Sequence, residues 1–203
     1  MNLDNIVEYS NPFKHWEFSE CLNNETLKEV SFAQIPTGKR AYDGTRAADY
    51  TGEGIDGKLR LFIDKNNCQN FPHLTKLINT FQGKFASKIS QLLHKDLSKS
   101  FVRLEIISDK KGFWLKPHQD ISEKLMTMMI WANPYNESEN LGTDLYNNNF
   151  ELVKTVKFLH NCGYFFSSGN DTWHGLEMKK IKKERRCIQI NYVSFKTEWP
   201  VIT

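Results

Sequence analysis

The sequence predicts a mainly β protein in which helices come first and a strand-rich half follows, with the helices laid on one sheet. Two observations carry this. From residue 101 onward, short β-branched or aromatic runs alternate with turn clusters at the spacing of a β-sandwich or barrel. Before residue 100 the one long periodic segment is helical instead, with Leu74, Ile78, Phe81, Phe85, Ile89, Leu92 and Leu93 three or four apart.

The elements follow in order. "HWEF" (15–18) reads as a short strand, and "LNNETLKEVSFAQI" as a helix that Asn24 could cap. Residues 37–58 are rich in Gly, Asp and Thr without a clear period, which predicts a long loop of functional or mobile character. Residues 71–97 read as one amphipathic helix with a bend at Gly83. Then come "FVRLEIIS", "FWLKPH", "LMTMMIWAN", "TDLYN", "LVKTVKFL", "GYFFSS" and "RRCIQINYVSF", separated by turns such as "NPYNESENLG" and "SGND".

The chain of 203 residues is long enough for one proper core and short for two domains, so a single domain over 1–203 is expected, with 1–100 supporting a core at 101–195. A formal net charge of only +3, with acidic residues among the lysines almost everywhere, argues against nucleic acid as partner. The basic run "KKIKKERR" (179–186) reads as a solvated loop leading into a strand, with Lys179, Lys180, Lys182 and Lys183 in water. Cys21, Cys68, Cys162 and Cys187 are scattered, which fits free thiols in a reducing compartment. The first residues lack the pattern of a signal peptide and no apolar run approaches the ~20 residues of a membrane span, so a cytoplasmic protein without membrane contact is expected.

The chemistry sits in the β half. His118 and Asp120 lie in "KPHQD" where one strand ends, His174 lies in "NDTWHG" after a turn, and Arg185 and Arg186 open the last strand. His-x-Asp alone is too common to carry weight, because a hydrogen-bonded turn explains it as well. In this order, two imidazoles and one carboxylate match the facial ligand set of non-haem Fe(II) oxygenases, which holds the metal at low net charge and leaves adjacent positions open.

These motifs resemble the 2-oxoglutarate- and Fe(II)-dependent dioxygenases, particularly the prolyl-hydroxylase-like branch, over about residues 101–195. "GTDLYN" resembles that family's Gly-Gly-x-Leu strand, with Thr143 in place of a glycine, and "EKLMTMMIWAN" the strand after its His-x-Asp turn. The resemblance implies a double-stranded β-helix, or jelly roll, with His118, Asp120 and His174 as iron ligands. It implies 2-oxoglutarate and O₂ as co-substrates, oxidative decarboxylation to succinate and CO₂, and hydroxylation of an unactivated C–H bond. With Asp120 present, hydroxylation is expected rather than halogenation, with desaturation and ring closure left open. A basic residue nine to eleven positions after the second His holds the distal carboxylate of 2-oxoglutarate in this family. Naive alternation puts Arg186 with Ile188 and Ile190, and Arg185 with Cys187, Gln189 and Asn191. The family pattern, Arg-x-small-aliphatic-x-aliphatic, selects Arg185, whose guanidinium suits a bidentate carboxylate grip.

Other positions stay open. Thr127, Met129 and Trp131 share a strand face and line a cavity or fill a core. Arg103 and Glu105 form a substrate-reading pair or a plain ion pair, the second being favoured. Arg40, Tyr42 and Arg46 read equally as lid contacts to an anionic substrate or as exposed loop residues. A small-molecule substrate is expected. A protein side chain is the alternative, and a non-catalytic jelly-roll binding module is the third reading. Nothing in the chain signals the oligomeric state.

Overall fold

The computed structural model describes residues 1–35 and 58–194. Arg40, Tyr42 and Arg46, with the expected loop up to residue 57, lie outside the described residues.

Among the described residues three α-helices precede most of the strands: α1 (Asn24–Phe32), α2 (Pro72–Gln82) and α3 (Lys84–Leu93). The strands are β1 (Ile6–Tyr9), β2 (His15–Ser19), β3 (Lys58–Phe62), β4 (Phe101–Asp109), β5 (Leu115–His118), β6 (Lys124–Ala132), β7 (Thr143–Tyr146), β8 (Leu152–Val156), β9 (Cys162–Phe166), β10 (His174–Leu176) and β11 (Arg185–Val193). They form a seven-stranded sheet in the order β1-β2-β9-β6-β11-β4-β3 and a four-stranded sheet in the order β5-β10-β7-β8. The two pack face to face, the jelly roll expected from the sequence.

Alternation along the strands of the large sheet builds two cores. On one face Ile188, Ile190 and Tyr192 of β11, with Met126, Met128 and Ile130 of β6, meet Leu74, Ile78, Phe81, Phe85 and Ile89 of the helices. On the other, Met129, Trp131, Tyr164, Phe166 and Cys187 meet Leu145, Val156 and Leu176 across the gap to the small sheet. The helical stripe thus covers the outside of the large sheet, and the inter-sheet space is left for the site.

Charged groups join the layers. Glu29 of α1 accepts the backbone N–H groups of His73 and Leu74, both at 2.9 Å, and so caps α2 where its N-terminal donors would otherwise lack partners. Arg186, at the start of β11, donates to the carbonyls of Val30 and Ser31 (2.8 Å each) and Ala33 (3.2 Å) at the C-terminal end of α1. Its Nε donates to Glu184 at 2.9 Å, and Glu184 also accepts from the Ser108 hydroxyl.

Several sequence expectations shift in detail. Asn23 rather than Asn24 is the N-cap of α1, because Asn23 has extended backbone and accepts from Thr26 N–H at 2.9 Å. The segment after residue 71 is two helices, since Gly83 leaves helical backbone at φ −112°, ψ −96°. Strands β1, β3 and β10 went unread; β10 has only three residues, too few for any period to show. In the basic run Lys180, Lys182 and Lys183 are exposed as expected, but half-buried Lys179 donates to Asp144 at 2.6 Å. The loop backbone is fastened, because the Glu137 carboxylate accepts the N–H groups of Lys182 (3.1 Å), Lys183 (2.5 Å) and Glu184 (3.2 Å).

Arg186→Met keeps the aliphatic stem but takes the cation from the α1 carbonyls and leaves buried Glu184 with only the partly exposed Lys110, at 3.4 Å. Breaking a buried pair on one side costs about 3–5 kcal/mol, so urea unfolding should show a loss of that order.

Candidate metal centre

β5 and β10 are neighbours in the small sheet, and their register sets His174 directly opposite His118. The two rings lie 4.3 Å apart between centroids. Gly175 permits the close approach, since a Cβ there would sit 2.6 Å from the Leu115 carbonyl oxygen. Asp120, two residues past the end of β5, completes the group. One donor atom from each of His118, Asp120 and His174 lies within 4.8 Å of the others, the scale of a single ion's ligand shell.

Each imidazole is oriented the same way. Nδ1 of His118 meets the Lys116 carbonyl at 2.9 Å, and Nδ1 of His174 meets the Thr172 carbonyl at 2.9 Å. A carbonyl only accepts, so both rings carry their proton on Nδ1 and offer the Nε2 lone pair. Carbonyl-fixed tautomers of this kind are the usual support for metal-binding histidines. Nε2 of His174 is 4.0 Å from Asp120 Oδ2.

The carboxylate is held on both sides. Lys124 Nζ donates to Asp120 Oδ1 at 2.6 Å, and the Thr127 hydroxyl donates to Oδ2 at 2.5 Å. Burial alone would raise the Asp120 pKa, but the Lys124 ammonium, helped by the two histidines, holds it well below the ordinary carboxylate range. Desolvation pushes His118 the other way from a charged state: its pKa falls to about 3, with neighbouring His174 adding to the shift. At neutral pH His118 is therefore a neutral imidazole beside an ionised Asp120, the protonation a metal requires.

These residues line a cavity of about 360 Å³ between the sheets, together with Arg60, Thr127, Met129, Thr143, Tyr164 and Gln189. Arg185 lines the same cavity. It is 5% exposed, and its guanidinium lies over the Trp131 ring at 4.8 Å. Nη1 donates to Asp109 Oδ2 at 2.5 Å, Nε to the Leu141 carbonyl at 2.5 Å and Nη2 to the Gly142 carbonyl at 3.0 Å. Burial opposes its charge, and the Asp109 carboxylate outweighs burial, so the pKa is raised. Among the described residues three of its five N–H donors are thereby used, and a ligand carboxylate has donors left to meet. Arg186 points to the opposite face of the sheet. Beneath Arg185 the Trp131 indole N–H is buried without a hydrogen-bond partner among the described residues.

Of the other open positions, Thr127 and Met129 line the cavity and Trp131 backs it. Arg103 and Glu105 are a fully buried ion pair at 3.1 Å, further along the strand face that gives Ile107 and Asp109 to the cavity. Lys124 and Asp109 went unnoticed in the sequence. Lys124 lies four positions after Asp120, a weak signal. The link from Asp109 to Arg185 exists only through the β4–β11 register.

No protein-family model matches the chain, and no curated protein matches it. Solved structures do. A prolyl-4-hydroxylase from Pseudomonas putida is similar at a TM-score of 0.61 and 13% identity, over 89% of this chain and 92% of that one. A prolyl hydroxylase from Trichoplax adhaerens, in complex with a peptide of the hypoxia-inducible factor oxygen degradation domain, is similar at 0.59 and 16%, over 89% and 83%. HygX from Streptomyces hygroscopicus, with nickel and 2-oxoglutarate bound, is similar at 0.59 and 10%, over 91% and 85%. The chain shares the jelly-roll fold of these proteins, the fold that the sequence resemblance implied.

Linkage gives the site a pH signature. His118 has a pKa of about 3 when folded, against 6.5 for an unperturbed imidazole, so below pH 6.5 the unfolded chain binds a proton that the folded one refuses. Asp120, depressed when folded, adds a loss at still lower pH. In EDTA, the melting temperature should fall as pH drops from 6.5 towards 4, and His118→Asn should flatten that slope.

Proposed function

We propose that the protein is an Fe(II)- and 2-oxoglutarate-dependent dioxygenase that hydroxylates an unactivated C–H bond of a small molecule. The observation that carries this reading is one cavity with a His-Asp-His donor set and a buried arginine along its wall. The residues fit both groups: two Nε2 lone pairs and a carboxylate suit Fe(II), while the remaining Arg185 donors suit a carboxylate. HygX, of the same fold, holds nickel and 2-oxoglutarate.

In this reading His118, Asp120 and His174 hold the metal. Arg185 holds the far carboxylate of 2-oxoglutarate, kept in place by Asp109 and the two carbonyls at its back. With O₂, iron and 2-oxoglutarate supply the oxidation that hydroxylates the substrate and releases succinate and CO₂. The chain orients these groups and excludes water with the apolar wall of Ile107, Phe113, Leu115, Met129 and Leu176. A cavity of about 360 Å³ favours a small substrate. A protein side chain is the second reading, favoured by the T. adhaerens enzyme of the same fold with its peptide. Succinate release measured on a panel of free metabolites against peptides separates the two, and release with peptides alone would sink the first.

His174→Ala should abolish Fe(II)-dependent succinate formation while circular dichroism stays unchanged; retained turnover would remove the ligand assignment. Arg185→Gln should raise the KM for 2-oxoglutarate about 10–100-fold, the worth of a charge-assisted hydrogen-bonded contact. Arg186→Met should leave that KM alone. The reverse ranking would take the carboxylate away from Arg185.

A further inference from the structure

Thr127, Asn191 and Arg103 stand side by side on β6, β11 and β4, in register across three hydrogen-bonded strands. Their polar atoms form a chain that ends on Asp120. Arg103 Nη2 meets Asn191 Oδ1 at 2.9 Å, and Gln189 Nε2 meets the same oxygen at 3.1 Å. Asn191 Nδ2 meets Thr127 Oγ1 at 2.9 Å and the Met126 carbonyl at 3.3 Å. Thr127 Oγ1 meets Asp120 Oδ2 at 2.5 Å.

Every bond in this chain has one allowed direction. A guanidinium only donates, so the Asn191 atom facing Arg103 is the carbonyl oxygen. The amide nitrogen must then face Thr127, and it too only donates. Thr127 Oγ1 accepts there, and its single proton goes to the carboxylate. Arg103 and Asn191 are wholly buried, which keeps water from offering either of them another partner.

We propose that Thr127 and Asn191 are positioning residues of the metal centre, with Arg103 fixing the polarity through which they act on Asp120. This rests on the metal assignment made above. The two carboxylate oxygens are made unequal. Lys124 holds Oδ1 with a full positive charge at 2.6 Å. Oδ2 takes a neutral hydroxyl and is the oxygen that stands 4.0 Å from His174 Nε2. A metal held beside His174 would meet Oδ2, the oxygen that Thr127 aims, while the Lys124 ammonium holds Oδ1. Thr127 and Lys124 would thus decide which carboxylate oxygen Asp120 offers.

The test is calorimetric titration of Co(II) into the folded protein, with His174→Ala as the reference for a broken site. Thr127→Val should weaken Co(II) about 10–100-fold, the usual cost of losing an outer-shell hydrogen bond. Thr127→Ser, which restores the hydroxyl, should bind as the wild type does. Asn191→Leu should weaken Co(II) when Thr127 is present and change nothing further in Thr127→Val, because it acts through that hydroxyl. Equal losses in both backgrounds, or wild-type affinity in Thr127→Val, would overturn the proposal. Should Asn191→Leu fail to fold, the Val and Ser variants decide alone. Wild-type protein that binds Co(II) no better than His174→Ala would remove the metal assignment itself, and this proposal with it.

Discussion

A strand buried along its whole length cannot carry charge unless every charge is met, and β11 is such a strand. All nine of its residues are buried, yet it holds Arg185, Arg186, Gln189 and Asn191. Burying an unpaired guanidinium costs several kcal/mol, so each arginine fixes a partner elsewhere. Arg186 draws in the end of α1, and Arg185 draws in Asp109 and the residues leading into β7. Asn191 ties Thr127 to Arg103. The helical layer, the large sheet and the cavity wall are all located by what this one strand requires.

The site obeys the same economy of local geometry. Both histidines take their tautomer from a carbonyl two residues earlier in their own chain, so no distant element has to supply it. What must come from afar is the register that sets β5 against β10, and Gly175 lets those backbones close in. The rings' partners are thus local while their meeting is not. The carboxylate is the reverse case: one oxygen is held by Lys124 at the start of β6, and the other depends on three strands of that opposite sheet.

Much of this was legible in the sequence. The switch from helical to strand periodicity near residue 100 placed the layers, and His118, Asp120, His174 and Arg185 stood out by type and order. The Arg185 side chain faces the cavity while Arg186 faces the helices, a distinction that alternation and apolar burial, taken simply, would have reversed. On β11 the inter-sheet face carries Arg185, Gln189 and Asn191, so the rule that apolar residues mark the inside points to the wrong face of this strand. What stayed hidden was relational. Asp109 opposite Arg185, and Asn191 between Thr127 and Arg103, exist only once strands are paired, and no spacing along the chain encodes that. Short β10 hid for a different reason, since three residues cannot show a period.

The clasp that Glu137 makes on the backbone of Lys182, Lys183 and Glu184 acquires a meaning from the arginine pair that follows it. Those three N–H groups are pinned immediately before β11 begins, and they set the phase with which the strand enters the sheet. A residue inserted or deleted between the clasp and Arg185 would shift that phase by one, exchanging the two faces of every following position. The helices would then meet Cys187 and Gln189, and the cavity would receive isoleucines where it now has polar groups. Three hydrogen bonds in a surface loop thus act as a timing mark for the strand behind them. The lysine side chains between those bonds are free to vary, because the mark is written in the backbone.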